Sequence, residues 1–234
     1  MSTIDLVAFV AYPYLCLTIF TVGHVYRYVT DRYAWNAHSS ELIEKKHLFI
    51  GSYLFHFGVL GTLAGHAVGL LVPQSIYDMV GIDSAAHTAL AHFAGRVVGS
   101  AALTGALLLL ARRLFVKRVR LMSTASDFLT LGGLVFVTGV GTYDVFLGGF
   151  NVLDSIAPWI RGILTFRPDP SLMAGVPLRY QLHILAAFTL LAYSPFCRLI
   201  HIWSVPVFYL FRRQLVFRRR VAASMHIVHQ DGEL

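Results

Sequence analysis

Five apolar stretches of this sequence are each long enough to cross a lipid bilayer. A bilayer core requires about 20 mostly apolar residues per helix. Charged residues make up 13% of the chain, whereas soluble domains contain roughly 25%. The sequence therefore predicts an all-α fold, an integral membrane bundle of five transmembrane helices. The five predicted spans are 4–28, 48–71, 89–111, 127–148 and 180–210.

The last predicted span is long and contains Pro195. A proline removes one backbone hydrogen bond, so we expect a kinked helix whose freed carbonyl is satisfied by neighbours. The irregular region 149–179 is rich in proline and glycine, and we expect a short interfacial helix around 151–164. The spans assign 1–215 to one five-helix domain and 216–234 to a cytoplasmic C-terminal tail.

Lysine and arginine are distributed unevenly among the segments that connect the spans. The segments 27–47 and 112–120 and the tail after residue 210 carry 14 of them, whereas 72–88 and 149–179 carry 3. Basic loops of membrane proteins face the cytoplasm. We therefore expect the N-terminus outside and the C-terminus inside. Membrane orientation also explains the formal net charge of +7 without a nucleic-acid partner.

Four histidines lie inside the second and fifth spans, namely His56, His66, His183 and His201. An unpaired imidazole in hydrocarbon is costly, so each needs a partner. Because the two spans run in opposite directions, we expect the histidines at similar membrane depth to meet. His66 then pairs with His183 in the outer half, and His56 pairs with His201 in the inner half. Neutral histidine is a common axial ligand of haem iron. The sequence thus predicts two b haems, each held by two histidines.

Helical phase gives further expectations for these histidines. On a continuous helix, His183 and His201 are separated by five full turns and point along one face. His56 and His66 differ by about 80° in phase. The axial separations are about 27 Å on one helix and about 15 Å on the other. We expect tilt and the Pro195 kink to absorb this difference.

Glycines recur beside the histidines of the second span, which reads HFGVLGTLAGHAVG from residue 56. Such glycines allow a helix–helix contact, for example through Gly61 and Gly65, or they leave room for a porphyrin face. We prefer the porphyrin interpretation, and both can hold together. For the histidines, packing or a proton relay is the alternative to haem. A zinc site would need three or four ligands at one depth.

Several motifs are similar to those of the gamma subunit of respiratory nitrate reductase, a membrane cytochrome b. PFCRLIHIWSVPVFYL (195–210) resembles the signature near the end of that family. The resemblance runs in order through about residue 215. The other matching pieces are YPY (12–14), RY (27–28), the LFH–LG–GH pattern (54–66), RRLF–RVR (112–120) and the LH that begins at Leu182.

The resemblance implies a five-helix anchor in the cytoplasmic (inner) membrane of a prokaryote, with two b haems. Its haem ligands fall on His56 and His201 for the inner haem and on His66 and His183 for the outer haem. The family oxidises quinol (menaquinol or ubiquinol) near the outer haem. Electrons then pass to an iron–sulfur beta subunit on the cytoplasmic side, and on to a molybdenum alpha subunit that reduces nitrate.

Three departures from the family concern the quinol site. Relatives carry lysines before the third helix, one of them linked to the quinol site, whereas here His87 is nearest that position. Arg96 stands where a small residue is expected, and Gln181 where arginine is expected. We expect His66 with His87 or Arg96 at the quinol site. For Arg96, pairing with a haem propionate or snorkelling to headgroups is the alternative.

Arg198 lies one turn before His201 and is a candidate partner for an inner-haem propionate, or else a topological anchor. Two other functions remain open on the sequence. One is the cytochrome b subunit of another quinol-linked complex, such as a sulfur-pathway or heterodisulfide-reductase-like assembly. The other is a transporter that uses histidine proton relays.

Overall fold

The computed structural model describes residues 3–30 and 46–204, and all regular structure in these ranges is helical. The helices are α1 (Thr3–Thr30, with a π-helical turn at Val7–Ala11), α2 (Lys46–His66, continued by a π-helical turn at Ala67–Leu71), α3 (Gln74–Met79), α4 (Ser84–Phe115), α5 (Lys117–Leu121), α6 (Ala125–Leu147), α7 (Ile156–Leu164), α8 (Leu178–Tyr193) and α9 (His201–Ser204). Short 3₁₀ turns lie at Pro170–Met173, Ser194–Phe196 and Arg198–Ile200.

Four of the described helices are long and apolar enough to cross a membrane: Thr3–Thr30, Leu48–Leu71, Ser84–Phe115 and Ala125–Leu147. They match the first four predicted spans, and the all-α prediction is confirmed. Helix α4 starts before residue 89 because the side chain of Asp83 accepts a hydrogen bond from the Ala86 amide at 2.7 Å. The short helix expected around 151–164 is α7.

The fifth predicted span is not one helix within the described residues. Helix α8 ends at Tyr193, and the backbone is extended at Cys197 (φ −137°, ψ −173°) between two 3₁₀ turns. Pro195 lacks an amide hydrogen and therefore ends the helix rather than kinking it. The five continuous turns predicted between His183 and His201 are therefore not formed. Residues 205–210 and the boundary at 215 lie outside the described residues.

Helix α1 supports the chain where α8 is interrupted. A Cβ atom on Gly23 would lie 2.9 Å from the Pro195 ring, so glycine lets that ring pack against the α1 backbone. His24 Nε2 lies 3.1 Å from Ser194 Oγ. Arg27 Nη1 donates to the Pro195 carbonyl at 3.2 Å. The Arg27 side chain thus satisfies one backbone carbonyl at the break, as expected for a proline in a membrane segment.

The long helices pack as neighbours in the order α1, α8, α6, α4 and α2. The α2–α4 contact is very close, because a Cβ on Gly58 would lie 2.2 Å from the Ala102 amide nitrogen. A Cβ on Gly61 would lie 2.7 Å from Val98 Cγ1. No atom stands within 4 Å of a Cβ on Gly65. Gly58 and Gly61 therefore serve helix packing, whereas Gly65 does not share that contact.

The short helix α7 joins the ends of several long helices. Its Trp159 is 1% exposed and donates from Nε1 to the Phe9 carbonyl of α1 at 3.0 Å. Its Arg161 donates from Nη1 to the Leu70 carbonyl of α2 at 2.8 Å. Because these bonds fix α1 and α2 against one helix, α7 helps to set the position of α2, which carries His56 and His66.

Candidate functional site

The structure brings the four histidines together in two pairs between α2 and the α8–α9 segment. The ring centres of His56 and His201 lie 5.9 Å apart, with 63° between the ring planes. Those of His66 and His183 lie 6.1 Å apart, with 28° between the planes. We call His56–His201 the first pair and His66–His183 the second pair. These are the partners that the opposite helix directions predicted, and the ligand roles stay predictions.

Every one of these imidazoles is held through Nδ1 by a backbone carbonyl. His56 Nδ1 lies 2.7 Å from the Ser52 oxygen, and His66 Nδ1 lies 2.7 Å from the Thr62 oxygen. His183 Nδ1 lies 3.0 Å from the Val137 oxygen, and His201 Nδ1 lies 2.5 Å from the Arg198 oxygen.

A carbonyl oxygen only accepts hydrogen bonds, so each neutral ring carries its hydrogen on Nδ1. Nε2 is then left with a lone pair, and no described residue donates to it in any of the four rings. Metal-binding histidines are usually fixed by such a bond on the other ring nitrogen. Each of the four side chains thus leaves its Nε2 lone pair available to a metal ion.

The separation within each pair fits one iron between two imidazoles. Two metal–nitrogen bonds of about 2 Å, together with about 1 Å from each nitrogen to its ring centre, span about 6 Å. The observed 5.9 Å and 6.1 Å match this span. In the ranges 3–30 and 46–204, no group of three or more His, Cys, Asp or Glu side chains could hold a metal ion. Two ligands per metal suit haem better than zinc.

A buried charge cluster adjoins the first pair. Asp127 accepts a hydrogen bond from Arg198 Nε, and its other oxygen lies 3.2 Å from Arg113 Nη1. The Asp127 side chain is 5% exposed and that of Arg113 is 8% exposed. Arg198, predicted to meet a haem propionate, is thus held by a protein carboxylate, while its carbonyl orients His201. The propionate role of Arg198 stays a prediction.

His87 lies in the first turn of α4, beside the end of α2 that carries His66. It is 5% exposed, and its Nδ1 lies 2.9 Å from Gln74 Oε1. A Tyr77 ring stacks obliquely on it, with 4.1 Å between centres. A Cβ on Gly69, three residues after His66, would lie 3.8 Å from His87 Nε2. The second pair and His87 therefore belong to one neighbourhood.

Arg96 lies elsewhere on α4. It is nine residues after His87, which turns it to the opposite side of the helix. Its Nε donates to the Val145 carbonyl at 3.3 Å, and its guanidinium stands 5.8 Å from the Phe146 ring centre. The structure thus does not bring Arg96 together with His87, and its quinol role stays a prediction.

Sequence reasoning missed two buried aspartates of α6. Asp127 forms the cluster described above, and Asp144 is 3% exposed, with one oxygen 2.9 Å from Arg179 Nε. Arg179 also donates from Nη2 to the Gly148 carbonyl at 2.9 Å. Carboxylates inside an otherwise apolar span are a recognised signal of a structural or functional partner. That signal was present in the sequence of the fourth span.

Comparison with known proteins gives a consistent result. The family model for the nitrate reductase gamma subunit matches residues 5–220. The chain is 45% identical over 212 residues to the nitrate reductase gamma chain of Bacillus subtilis, covering 89% of this chain and 95% of that one. It is 35% identical over 226 residues to the respiratory nitrate reductase 1 gamma chain of Escherichia coli, covering 94% and 100%. It is 36% identical over 215 residues to the nitrate reductase-like protein NarX of Mycobacterium tuberculosis, covering 89% of this chain and 33% of that protein.

Proposed function

Because this chain belongs to the nitrate reductase gamma subunit family, we propose that it is the quinol-oxidising cytochrome b subunit of a respiratory nitrate reductase. The proposal includes two b haems, with His56 and His201 as ligands of one and His66 and His183 as ligands of the other. It also includes partners on the cytoplasmic side, an iron–sulfur beta subunit and a molybdenum-containing alpha subunit.

The observation that carries the proposal is the geometry of the two histidine pairs. Each pair offers two Nε2 lone pairs on rings whose centres lie about 6 Å apart, and each ring is fixed by a carbonyl at Nδ1. A packing role would not require all four rings to be held in the same tautomer. A proton relay would require hydrogen-bonded neighbours at Nε2, and the described residues supply none. Bound b haem supplies one-electron redox chemistry, which quinol oxidation needs.

We assign the quinol-contacting role to His87 and to the neighbourhood of the second pair. With Nδ1 facing Gln74, the Nε2 atom of His87 faces the α2 backbone near Gly69. A ring so fixed can hydrogen-bond a quinol oxygen and take its proton, as general bases of this type do. His87 thereby fills the place of the lysine that the family resemblance leads one to expect.

The distribution of basic residues supports the direction of electron flow. We place the His66–His183 end outside and the His56–His201 end on the cytoplasmic side, with the N-terminus outside and the C-terminus inside, from the excess of Lys and Arg in 27–47, 112–120 and the tail after 210. Moving one charge against 100 mV costs about 2.3 kcal/mol. Quinol oxidation outside with an acceptor inside therefore conserves energy.

The test of the haem assignment is ligand replacement in the complex purified with its partner subunits. We expect two haems per chain in the parent, and one in each of His56→Ala and His66→Ala, with a different low-spin spectral signal lost in each. His92→Ala, a histidine outside both pairs, is the matched control and should keep both. A parent complex without bound porphyrin, or variants that keep both signals, would reject the assignment.

The quinol role of His87 has its own test. We expect His87→Ala to retain both haems and to lose at least about tenfold in quinol oxidation, because one general base contributes about 10²–10⁴-fold. His92→Ala again serves as control. Quinol oxidation at the parent rate in His87→Ala would remove this residue from the site and leave the haem assignment standing.

A further inference from the structure

His183 differs from the other three histidines in the origin of the carbonyl that holds it. His56, His66 and His201 each bond to a carbonyl three or four residues earlier in their own chain segment. His183 of α8 instead donates from Nδ1 to the Val137 carbonyl of α6, at 3.0 Å. The orientation of this one ring therefore depends on a different helix.

Gly141 is what allows the His183 ring to lie against α6. A Cβ on Gly141 would lie 2.7 Å from Cε1, 3.1 Å from Nδ1 and 3.5 Å from Nε2 of His183. A contact under 3 Å is well inside the ordinary separation of nonbonded carbon atoms. Any side chain at position 141 would therefore push the ring away from the helix.

The Val137 carbonyl stands four residues before Gly141, so in an α-helix it is the carbonyl that receives the Gly141 amide. A carbonyl oxygen has two lone pairs and can accept a second donor. The absence of a side chain at residue 141 exposes that second lone pair to His183. Gly141 and Val137 thus act together, the first by leaving space and the second by accepting the proton.

We propose that Gly141 is a positioning residue for the outer haem, which acts by holding His183 on the Val137 carbonyl. The inference rests on the proposed function, in which His183 is an iron ligand. A hydrogen bond from Nδ1 to a carbonyl raises the basicity of a ligating imidazole. A more basic ligand favours ferric iron, so this bond lowers the reduction potential of the outer haem and leaves that of the inner haem unchanged.

The first test compares Gly141→Ala with Gly139→Ala in the complex with its partner subunits. A Cβ at residue 139 would meet Leu103 Cδ1 at 3.8 Å, an ordinary contact, so this variant controls for an added methyl group on the same helix. Potentiometric titration and low-temperature electron paramagnetic resonance report each haem separately. The signal that disappears in His66→Ala identifies the outer haem.

In Gly141→Ala we expect a shifted signal and a raised potential for the outer haem alone, whereas Gly139→Ala should resemble the parent. An outer haem with the parent signal and potential in Gly141→Ala would overturn the inference. A parent that lacks two haems would instead overturn the proposed function, so the two failures are distinguishable.

The second test leaves Gly141 intact and does not depend on how well the alanine variant folds. In His183→Gly, added imidazole or 1-methylimidazole can ligate the outer iron through one nitrogen, but only imidazole keeps an N–H on its other nitrogen to donate to the Val137 carbonyl. We expect the imidazole complex to have the lower outer-haem potential. Equal potentials with the two ligands would show that the carbonyl has no influence and would overturn the inference.

Discussion

The two histidine pairs lie in differently built ends of the bundle. The first pair uses His201, which follows a broken helix and adjoins a buried cluster of two guanidinium groups and one carboxylate. The second pair uses His183, which lies within continuous α8, near one guanidinium paired with one carboxylate. The first end thus places two guanidinium groups around one carboxylate, and the second end places one guanidinium group beside one carboxylate.

This difference concerns the charges and hydrogen bonds beside each histidine pair. A guanidinium group stabilises an added electron nearby and a carboxylate destabilises it, since charges interact strongly where water is excluded. The Nδ1–carbonyl bonds do not separate the two pairs, because all four rings have one; only His183 bonds to a carbonyl of another helix. The two ends thus differ in the charged groups beside the histidines and in the origin of the carbonyl that orients one ring.

Removing the carboxylate of the cluster is expected to have the largest effect. In Asp127→Asn, Arg113 and Arg198 lose their shared counter-charge, and breaking such a buried pair costs about 3–5 kcal/mol. We expect a corresponding loss in thermal stability of the purified complex, together with a changed spectrum at the first pair. Asp154→Asn, in an exposed loop position, is the matched control. Parent-like stability in Asp127→Asn would show that the cluster contributes little.

Replacing either partner of the ion pair near the second histidine pair should lower stability, but by different amounts. Asp144 is 4% exposed at its side chain, whereas the Arg179 side chain is 27% exposed and also donates to the Gly148 carbonyl. Arg179→Gln leaves a buried carboxylate without its partner and should cost about 2–3 kcal/mol. Asp144→Asn leaves a guanidinium that can still reach Gly148 and polar surroundings, and should cost about 1 kcal/mol.

Thermal unfolding of both single variants and of the double variant measures this asymmetry. A double variant that is as stable as the weaker single variant would show that the two side chains act as one unit. If Asp144→Asn proved the more damaging change, the guanidinium rather than the carboxylate would be the group that depends on the pair.

The sequence predicted the helices that are bounded by local signals. The length of each apolar stretch was enough to identify the first four spans. The fourth, α6, also begins at a capping box in which Thr124 and Asp127 bond reciprocally. The partners within each histidine pair followed from helix direction, which does not depend on exact phase. The geometry around His201 could not be predicted, because Pro195 ends α8 and replaces helical phase by tertiary contacts with Gly23 and Arg27.

Contacts between helices also could not be predicted from the sequence. Gly141 belongs to a span with several other glycines, and only packing shows that it is the glycine that faces His183. Likewise, Gly58 looks equivalent to Gly65 in the sequence, yet one meets the α4 backbone and the other has no atom within 4 Å. Arg96 and His87 are close in sequence but face opposite sides of α4, which periodicity could have shown.

A smaller effect than those of the Asp127 and Arg179 changes is expected where α1 supports the helix break. In Gly23→Ala the new methyl group would stand 2.9 Å from Pro195 Cγ and 3.0 Å from its Cβ. Overpacking of this kind costs about 1–2 kcal/mol. Since the Pro195 segment leads into His201, we expect the spectral signal assigned to the first pair to shift while that of the second pair stays unchanged. Gly132→Ala is the control, because no atom lies within 4 Å of its Cβ position. A shift confined to the second pair would contradict the separation of the two ends, since it would mean that the break transmits its strain along α8 to His183 rather than forward to His201.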